Sequence, residues 1–167
     1  MPEDRKRAGL ILEFPTLENV TMASLPAYTT HGIVSQRRQM AVAEAQRKAL
    51  GIKTHDVRSA ASEMSGGNQQ KVVLAKWLSM NPKVIIFDEP TRGIDVGAKA
   101  EIYGLMRSLA DRGVGVMMIS SDMEEVIGVS DRIVVMKDGV ITGELPRFRF
   151  SESNVLNLAV GKVLEEA

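Results

Sequence analysis

Three short stretches carry residue types that could do chemistry. Met64-Ser65-Gly66-Gly67-Asn68-Gln69-Gln70-Lys71 reads as a turn opening into the amphipathic helix Val72 to Leu78. The first backbone N–H groups of a helix have no intrahelical acceptor. Ser65 can cap one of them, and two glycines clear side chains so that an anion can approach the main chain. Taken alone, the pattern more often marks a well-terminated helix than a phosphate reader. Asp88-Glu89-Pro90 closes the apolar run Val84-Ile85-Ile86-Phe87. Ligands of open α/β sheets bind at the carboxyl ends of strands, so two acids placed there suit a metal ion and an activated water; the plain alternative is a polar strand exit. Ser121 to Glu124 reads Ser-Asp-Met-Glu, a capping box in which Ser121 bonds the first turn and Glu124 reaches back.

The elements that position these residues follow from periodicity and punctuation. Thr16 is a plausible N-cap for a helix carrying Leu17 and Val20, and Ser35 caps a longer helix, Gln36 to Leu50, stopped by Gly51. Residues Thr16 to Glu63 thus read as a helical subdomain whose long helix, rich in Arg, Gln and Ala, has a weak apolar face and stays largely solvated. Val73 with Trp77 and Leu74 with Leu78 repeat at helical spacing before Asn81-Pro82. The period then changes. Val84 to Phe87 has the length and continuous apolarity of a central parallel strand covered on both faces. Asp95 caps the next helix, with Ile102, Leu105, Met106 and Leu109 on one face and Gly113 as its left-handed stop. A second buried strand, Val114 to Ile119, follows. Ile133 to Met136 and Val140 to Thr142 form a hairpin around Asp138-Gly139, and Ser151 caps a last helix through Val160.

Composition narrows the function classes. The 167 residues are 44% hydrophobic and 25% charged, and 21 basic and 21 acidic residues cancel to zero net charge. That is a soluble globular composition of one-domain length, with no bulk basicity to hold nucleic acid. There is no cysteine, hence neither disulfide nor thiolate metal site. The longest apolar runs fall far short of the roughly 20 residues a membrane span needs, so any membrane role is peripheral. His31 and His55 lie in loops with no companion ligand and read as surface residues.

A Ser-Gly-Gly helix start, a strand ending in Asp-Glu, an Asp-containing loop and a strand ending in Ser-Asp together resemble the nucleotide-binding subunit of an ATP-binding-cassette (ABC) transporter. Met64 to Gln70 looks like the signature motif, Val84 to Glu89 like the Walker B strand, Gly93-Ile94-Asp95 like the D-loop, and Ser121-Asp122 stands at the switch-histidine position. The Pro2-to-Arg7 charge cluster, Ser65 to Lys71 and Asp88 to Gly97 resemble, more narrowly, the second cassette of fused two-cassette ATPases of ribose, galactose, xylose and arabinose type sugar importers.

The resemblance implies an α/β, partial RecA-like P-loop NTPase domain with an inserted helical subdomain and parallel core strands. Residues 1–15 would form the Q-loop region, 16–63 the helical subdomain, 64–150 the signature helix, Walker B strand and sheet, and 151–167 a C-terminal helix. It implies ATP and Mg²⁺ as ligands, with Asp88 holding the metal and Glu89 orienting or deprotonating the attacking water. Ser65, Gly66, Gly67, Asn68, Gln69, Asp95 and Ser121 would contact nucleotide, with the signature facing a γ-phosphate held by the opposite cassette. Implied partners are another ABC cassette, membrane permease subunits and, indirectly, a periplasmic sugar-binding protein, with no nucleic acid. The implied place is the cytoplasmic face of the inner membrane, as a peripheral subunit. Arg5 and Arg7 would pass near the membrane subunit. Rival readings are a soluble ABC ATPase of translation or repair and a truncated, non-catalytic module that binds a partner cassette. The zero net charge and the Arg92-to-Lys99 loop count against the first.

Three departures qualify the resemblance. Ser121 replaces the switch histidine, Asn68 stands where the general ABC pattern has Gln, and no Gly-x-x-x-x-Gly-Lys-[Ser/Thr] occurs in the 167 residues, which makes them look like a carboxyl-terminal piece. A P-loop supplies several charge-assisted hydrogen bonds of roughly 1.5–3 kcal/mol each, and losing three lowers affinity by on the order of a thousandfold or more. The 167-residue polypeptide by itself is therefore expected to bind ATP weakly. Calorimetry giving a micromolar dissociation constant would overturn that expectation.

Overall fold

The computed structural model describes residues 8–162, apart from the side chain of Val96. The Pro2-to-Arg7 cluster and residues 163–167 lie outside the described residues. The chain divides into two compact units, Met1–Ile119 and Ser120–Ala167.

In the first unit, helix α1 (Thr16–Thr21) has Pro15 at its N-cap position, not the expected Thr16. Proline suits a helix entry, having no N–H to leave unpaired. Thr16 is buried instead, its hydroxyl donating to the Ser59 carbonyl at 3.2 Å. Asn19, fully buried, accepts from the Ile11 N–H at 2.8 Å and donates to the Ile11 and Phe14 carbonyls at 2.9 and 3.2 Å. Its amide is thus spent pinning the incoming chain to α1, as a buried polar group requires. Two-residue strands β1 (Thr29–Thr30) and β2 (Ile33–Val34) pair around His31-Gly32, whose φ values of 50° and 81° make a type I′ turn. His31 and His55 are both exposed, as expected.

Helix α2 (Gln36–Leu50) starts after Ser35, ends at left-handed Gly51 (φ 60°) and buries only Gln39, Ala43 and Leu50, so it is largely solvated. Helix α3 (Gly66–Leu78) is the opposite: every residue from Gln69 to Lys76 is buried, with α1, α2 and helix α4 (Val96–Asp111) packed against it. Trp77 is less buried than its place in the apolar stripe suggests; its ring lies 5.1 Å from the Lys76 ammonium at the margin of the core.

Strand β3 (Val84–Asp88) and strand β4 (Gly115–Ile119) run parallel, registered from Val84↔Gly115 to Asp88↔Ile119, with α4 as the crossover. Asp95 caps α4 by accepting the Ala98 N–H at 2.9 Å; Ile102, Met106 and Leu109 are buried, and Gly113 (φ 82°) ends the helix. These features agree with the sequence reading. The expectation that both strands are covered on both faces does not hold. Ile85 and Phe87 are buried, whereas Val84, Ile86, Met117 and Ile119 are about half exposed, because the described residues cover only the Ile85–Phe87 side.

The second unit contains helix α5 (Met123–Val129), strands β5 (Arg132–Lys137) and β6 (Val140–Pro146), and helix α6 (Glu152–Ala159). The hairpin turns at Asp138-Gly139 (φ 50° and 80°), the type I′ geometry that an Asp-Gly pair favours. Ile133, Val135 and Leu145 pack on Val155 and Leu158 of α6, which Ser151 caps by accepting from the Asn154 N–H at 3.1 Å. Gly143 is required by that packing: a Cβ there would lie 2.6 Å from Leu158 Cδ2. Among the described residues no helix is long and apolar enough to cross a membrane.

One ion pair joins α2, α3 and α4. The buried Lys71 ammonium donates to the Gly51 carbonyl at 3.1 Å and pairs with Glu101 Oε2 at 2.6 Å. That hydrogen bond, reinforced by the lysine's charge, lowers the Glu101 pKa. A carboxylate whose folded pKa is depressed stabilises the fold above its ordinary pKa of 4.5 and loses that contribution as pH falls through the lowered value. Glu101 is half exposed, so solvent screens the effect and it stays small. Lys71→Met is expected to return the Glu101 titration upward to the ordinary range, read by carbon-detected NMR. An unchanged titration would overturn the assignment.

Candidate functional site

The signature-like turn sits at the N-terminus of α3, and its geometry differs from simple capping. Ser65 occupies the N-cap position with extended backbone, yet its side chain accepts no first-turn N–H. Its oxygen instead accepts from Asn68 Nδ2 at 3.0 Å. Asn68 competes successfully because a donor three residues into the helix lies directly over the cap. Among the described residues the N–H groups of Gly66, Gly67 and Asn68 have no acceptor, so this helix start keeps its donors and the positive end of its dipole for an anion.

Close packing fixes that turn. A Cβ on Gly67 would approach Ala98 Cβ to 3.1 Å, so the first turns of α3 and α4 lie side by side, with the Asp95 cap next to the signature turn. Gln69 is buried beneath, donating to the Ala61 and Met64 carbonyls at 3.1 and 3.3 Å. Asn68 Oδ1 accepts from the Lys53 N–H at 2.8 Å.

The carboxylate pair lies at the end of β3. Asp88 is the last strand residue and is partly exposed, paired in register with Ile119. Glu89 has φ 46°, a left-handed conformation that L residues other than Asn and Asp rarely adopt and that costs of order 1–3 kcal/mol. Its N–H donates to the Ile119 carbonyl at 2.8 Å, and its carbonyl accepts from Arg92 N–H at 3.2 Å. Pro90 and Thr91 are buried behind it. The strained turn lets the chain leave the sheet abruptly, so both acids stay at the strand's carboxyl edge. Among the described residues no group of three or more His, Cys, Asp or Glu side chains could hold a metal alone. A lone aspartate with water and phosphate oxygens for its remaining ligands is nevertheless the habit of Mg²⁺, so Asp88 fits that ion.

Gln70 joins the two stretches. It is buried, and its amide donates to the Pro90 carbonyl at 3.0 Å, tying α3 to the turn that carries Glu89. The sequence reading missed this residue. Its signal was present, since Gln70 precedes Leu74 and Leu78 by helical repeats and so stands as a polar residue in the buried stripe. Lys76 is a similar case: buried, its pKa lowered by desolvation, and bonded to the Gly9 carbonyl.

Ser121 belongs to the second unit and is exposed. The capping box expected there is corrected by the structure. Asp122 is the N-cap of α5, accepting from the Glu124 and Glu125 N–H groups at 3.1 and 3.3 Å, because a carboxylate outcompetes a hydroxyl at the positive end of a helix. Glu125 is buried and takes a hydrogen bond from Ser120. Capping therefore does not account for Ser121.

Comparison with known proteins gives consistent matches. The ABC transporter family profile matches residues 1–92. The ribose import ATP-binding protein of Lactococcus lactis subsp. lactis is 47% identical over 161 residues, 96% of this chain and 33% of that protein. The arabinose import ATP-binding protein of Vibrio parahaemolyticus is 49% identical over 160 residues, 95% of this chain and 32% of that protein. The chain thus spans about a third of the length of these curated relatives. Among solved structures, a dimeric ATP-binding cassette in a post-hydrolysis state bound to ADP and Pi superposes with a TM-score of 0.69 at 26% identity, over 87% of this chain and 62% of that one. An ABC transporter cassette in its ADP conformation gives a TM-score of 0.70 at 23% identity over 90% of this chain and 64% of that one, a likeness of fold.

The Gln70 bond has a measurable worth. Gln70→Leu keeps the volume and strands the buried Pro90 carbonyl, which is expected to cost about 1–3 kcal/mol in denaturant unfolding. A loss below about 0.5 kcal/mol would show that the carbonyl finds another partner.

Proposed function

Because the chain belongs to the ABC transporter family, we propose that it is part of the ATP-binding and ATP-hydrolysing component of a carbohydrate ABC importer. The observation that carries the reading is the open start of α3, where Ser65 leaves the first-turn N–H groups uncapped beside Gly66 and Gly67. Phosphoryl transfer asks a protein chiefly for positioning and charge stabilisation, and uncapped N–H groups on a glycine-cleared helix start supply both toward a phosphate.

In this reading Ser65, Gly66 and Gly67 close over the γ-phosphate of an ATP whose P-loop belongs to the opposing cassette, with Asn68, Gln69 and Asp95 forming the surrounding turn and Ser121 standing at the switch position. Glu89 orients the attacking water and takes its proton. Asp88 would hold Mg²⁺ through water, and such an ion would supply charge neutralisation at the phosphates. The strained backbone at Glu89 serves this role by fixing its carboxylate beside Asp88 at the end of β3. The chain works with a second cassette and with membrane permease subunits, which a sugar-binding protein loads, at the cytoplasmic face of the inner membrane. The relatives named for import of ribose and arabinose support a carbohydrate as the cargo.

In the assembled ATPase, Glu89→Gln is expected to lower the hydrolysis rate by about 10²-fold or more, the usual worth of a positioned general base, while MgATP binding stays near the unmutated level. Phosphate release and nucleotide binding measured on the same preparation separate the two. Hydrolysis at the unmutated rate would remove Glu89 from the reaction.

A further inference from the structure

Asn68 stands where a nucleotide contact would be expected, but its amide is already committed at both ends. Oδ1 accepts from the Lys53 N–H at 2.8 Å, and Nδ2 donates to Ser65 Oγ at 3.0 Å. The orientation of the amide is not arbitrary. A backbone N–H can only donate, so the atom facing Lys53 must be the oxygen and the atom facing Ser65 must be the nitrogen.

That fixes the state of the serine. A hydroxyl has one proton and two acceptor lone pairs. With a lone pair occupied by Asn68 Nδ2, the Ser65 O–H is the donor still to be placed, and among the described residues it donates to no acceptor. Ser65 is exposed at the same open helix start as the Gly66 and Gly67 N–H groups, so this proton is available to an acceptor that binds there. Accepting one hydrogen bond also polarises a hydroxyl and strengthens the bond it donates.

We propose that Asn68 is a positioning residue: it presets the Ser65 hydroxyl as a donor to the γ-phosphate and anchors that hydroxyl, through Lys53, to the segment following α2. The proposal rests on the reading of Ser65 to Gly67 given above. It moves Asn68 from the ligand contacts to the residue behind them. The shorter side chain has a consequence here, since Asn at the third helical residue reaches back to the cap oxygen while still receiving the Lys53 N–H.

The test is a double-mutant cycle in the assembled ATPase, with MgATP as the probe and kcat and KM both measured. Ser65→Ala is expected to lower kcat/KM by about ten- to a hundredfold, the worth of one charge-assisted hydrogen bond. Asn68→Ala is expected to lose a similar factor, and Ser65→Ala/Asn68→Ala to lose no more than Ser65→Ala alone. Losses that multiply, or an Asn68→Ala enzyme at the unmutated kcat/KM, would overturn the proposal, because a purely structural tie to Lys53 or a separate nucleotide contact is independent of the serine hydroxyl. If Asn68→Ala melts early, Asn68→Asp keeps the acceptor for Lys53. Its added charge acts in both backgrounds, so a smaller loss in the Ser65→Ala background supports the proposal and an equal loss in both overturns it. A Ser65→Ala enzyme with unmutated kinetics would instead sink the reading of the signature turn itself.

Discussion

Burying a polar helix is the constraint on which the first unit depends. Helix α3 carries Gln69, Gln70, Lys71 and Lys76 into the core, and a buried amide or ammonium without partners would cost several kcal/mol. Each is satisfied by main-chain carbonyls of a different segment: Ala61 and Met64 for Gln69, Pro90 for Gln70, Gly51 for Lys71 and Gly9 for Lys76. Among the described residues no buried side-chain nitrogen or oxygen lacks a partner. The helix is therefore bolted at once to the incoming chain, to the end of α2, to the segment before its own start and to the turn after β3. The signature turn and the carboxylate pair are the exposed ends of that framework.

This arrangement relates two half-sites. In the proposed mechanism Glu89 and Ser65 act on different nucleotides, yet Gln70 and the contact of Gly67 with Ala98 hold both on one rigid piece. In that mechanism the buried Gln70–Pro90 hydrogen bond is the direct link between α3 and the Glu89 turn.

Much of this was legible from the residues. The helix boundaries at Gly51, Asp95, Gly113 and Ser151, the parallel strands on either side of α4, and the Asp138-Gly139 turn all follow from local rules that the structure obeys. What was not legible involves competition between alternatives of similar energy. Ser65, Thr16 and Ser121 each could have capped a helix, and in each case a neighbour changed the outcome: Asn68 engaged the first, Pro15 preceded the second and Asp122 displaced the third. The left-handed Glu89 is likewise invisible locally, because the bond that helps hold its strained backbone is made to Ile119 on the neighbouring strand. Coverage of the β3–β4 sheet could not be read either. A continuous apolar run specifies that a strand can be buried on both faces, not that it is.

The carbonyls that receive α3's donors have a bearing on how such a protein can change. A main-chain oxygen is present whatever side chain its residue carries, so substitutions at Gly9, Ala61, Met64 or Pro90 leave the acceptor in place if the backbone path survives. Exchanging one of the four donors removes its bond outright. The framework is thus written in a few positions of one helix and depends little on which side chains surround it, so the spacing between the Ser65 turn and the Glu89 turn is insensitive to exchange of those neighbours.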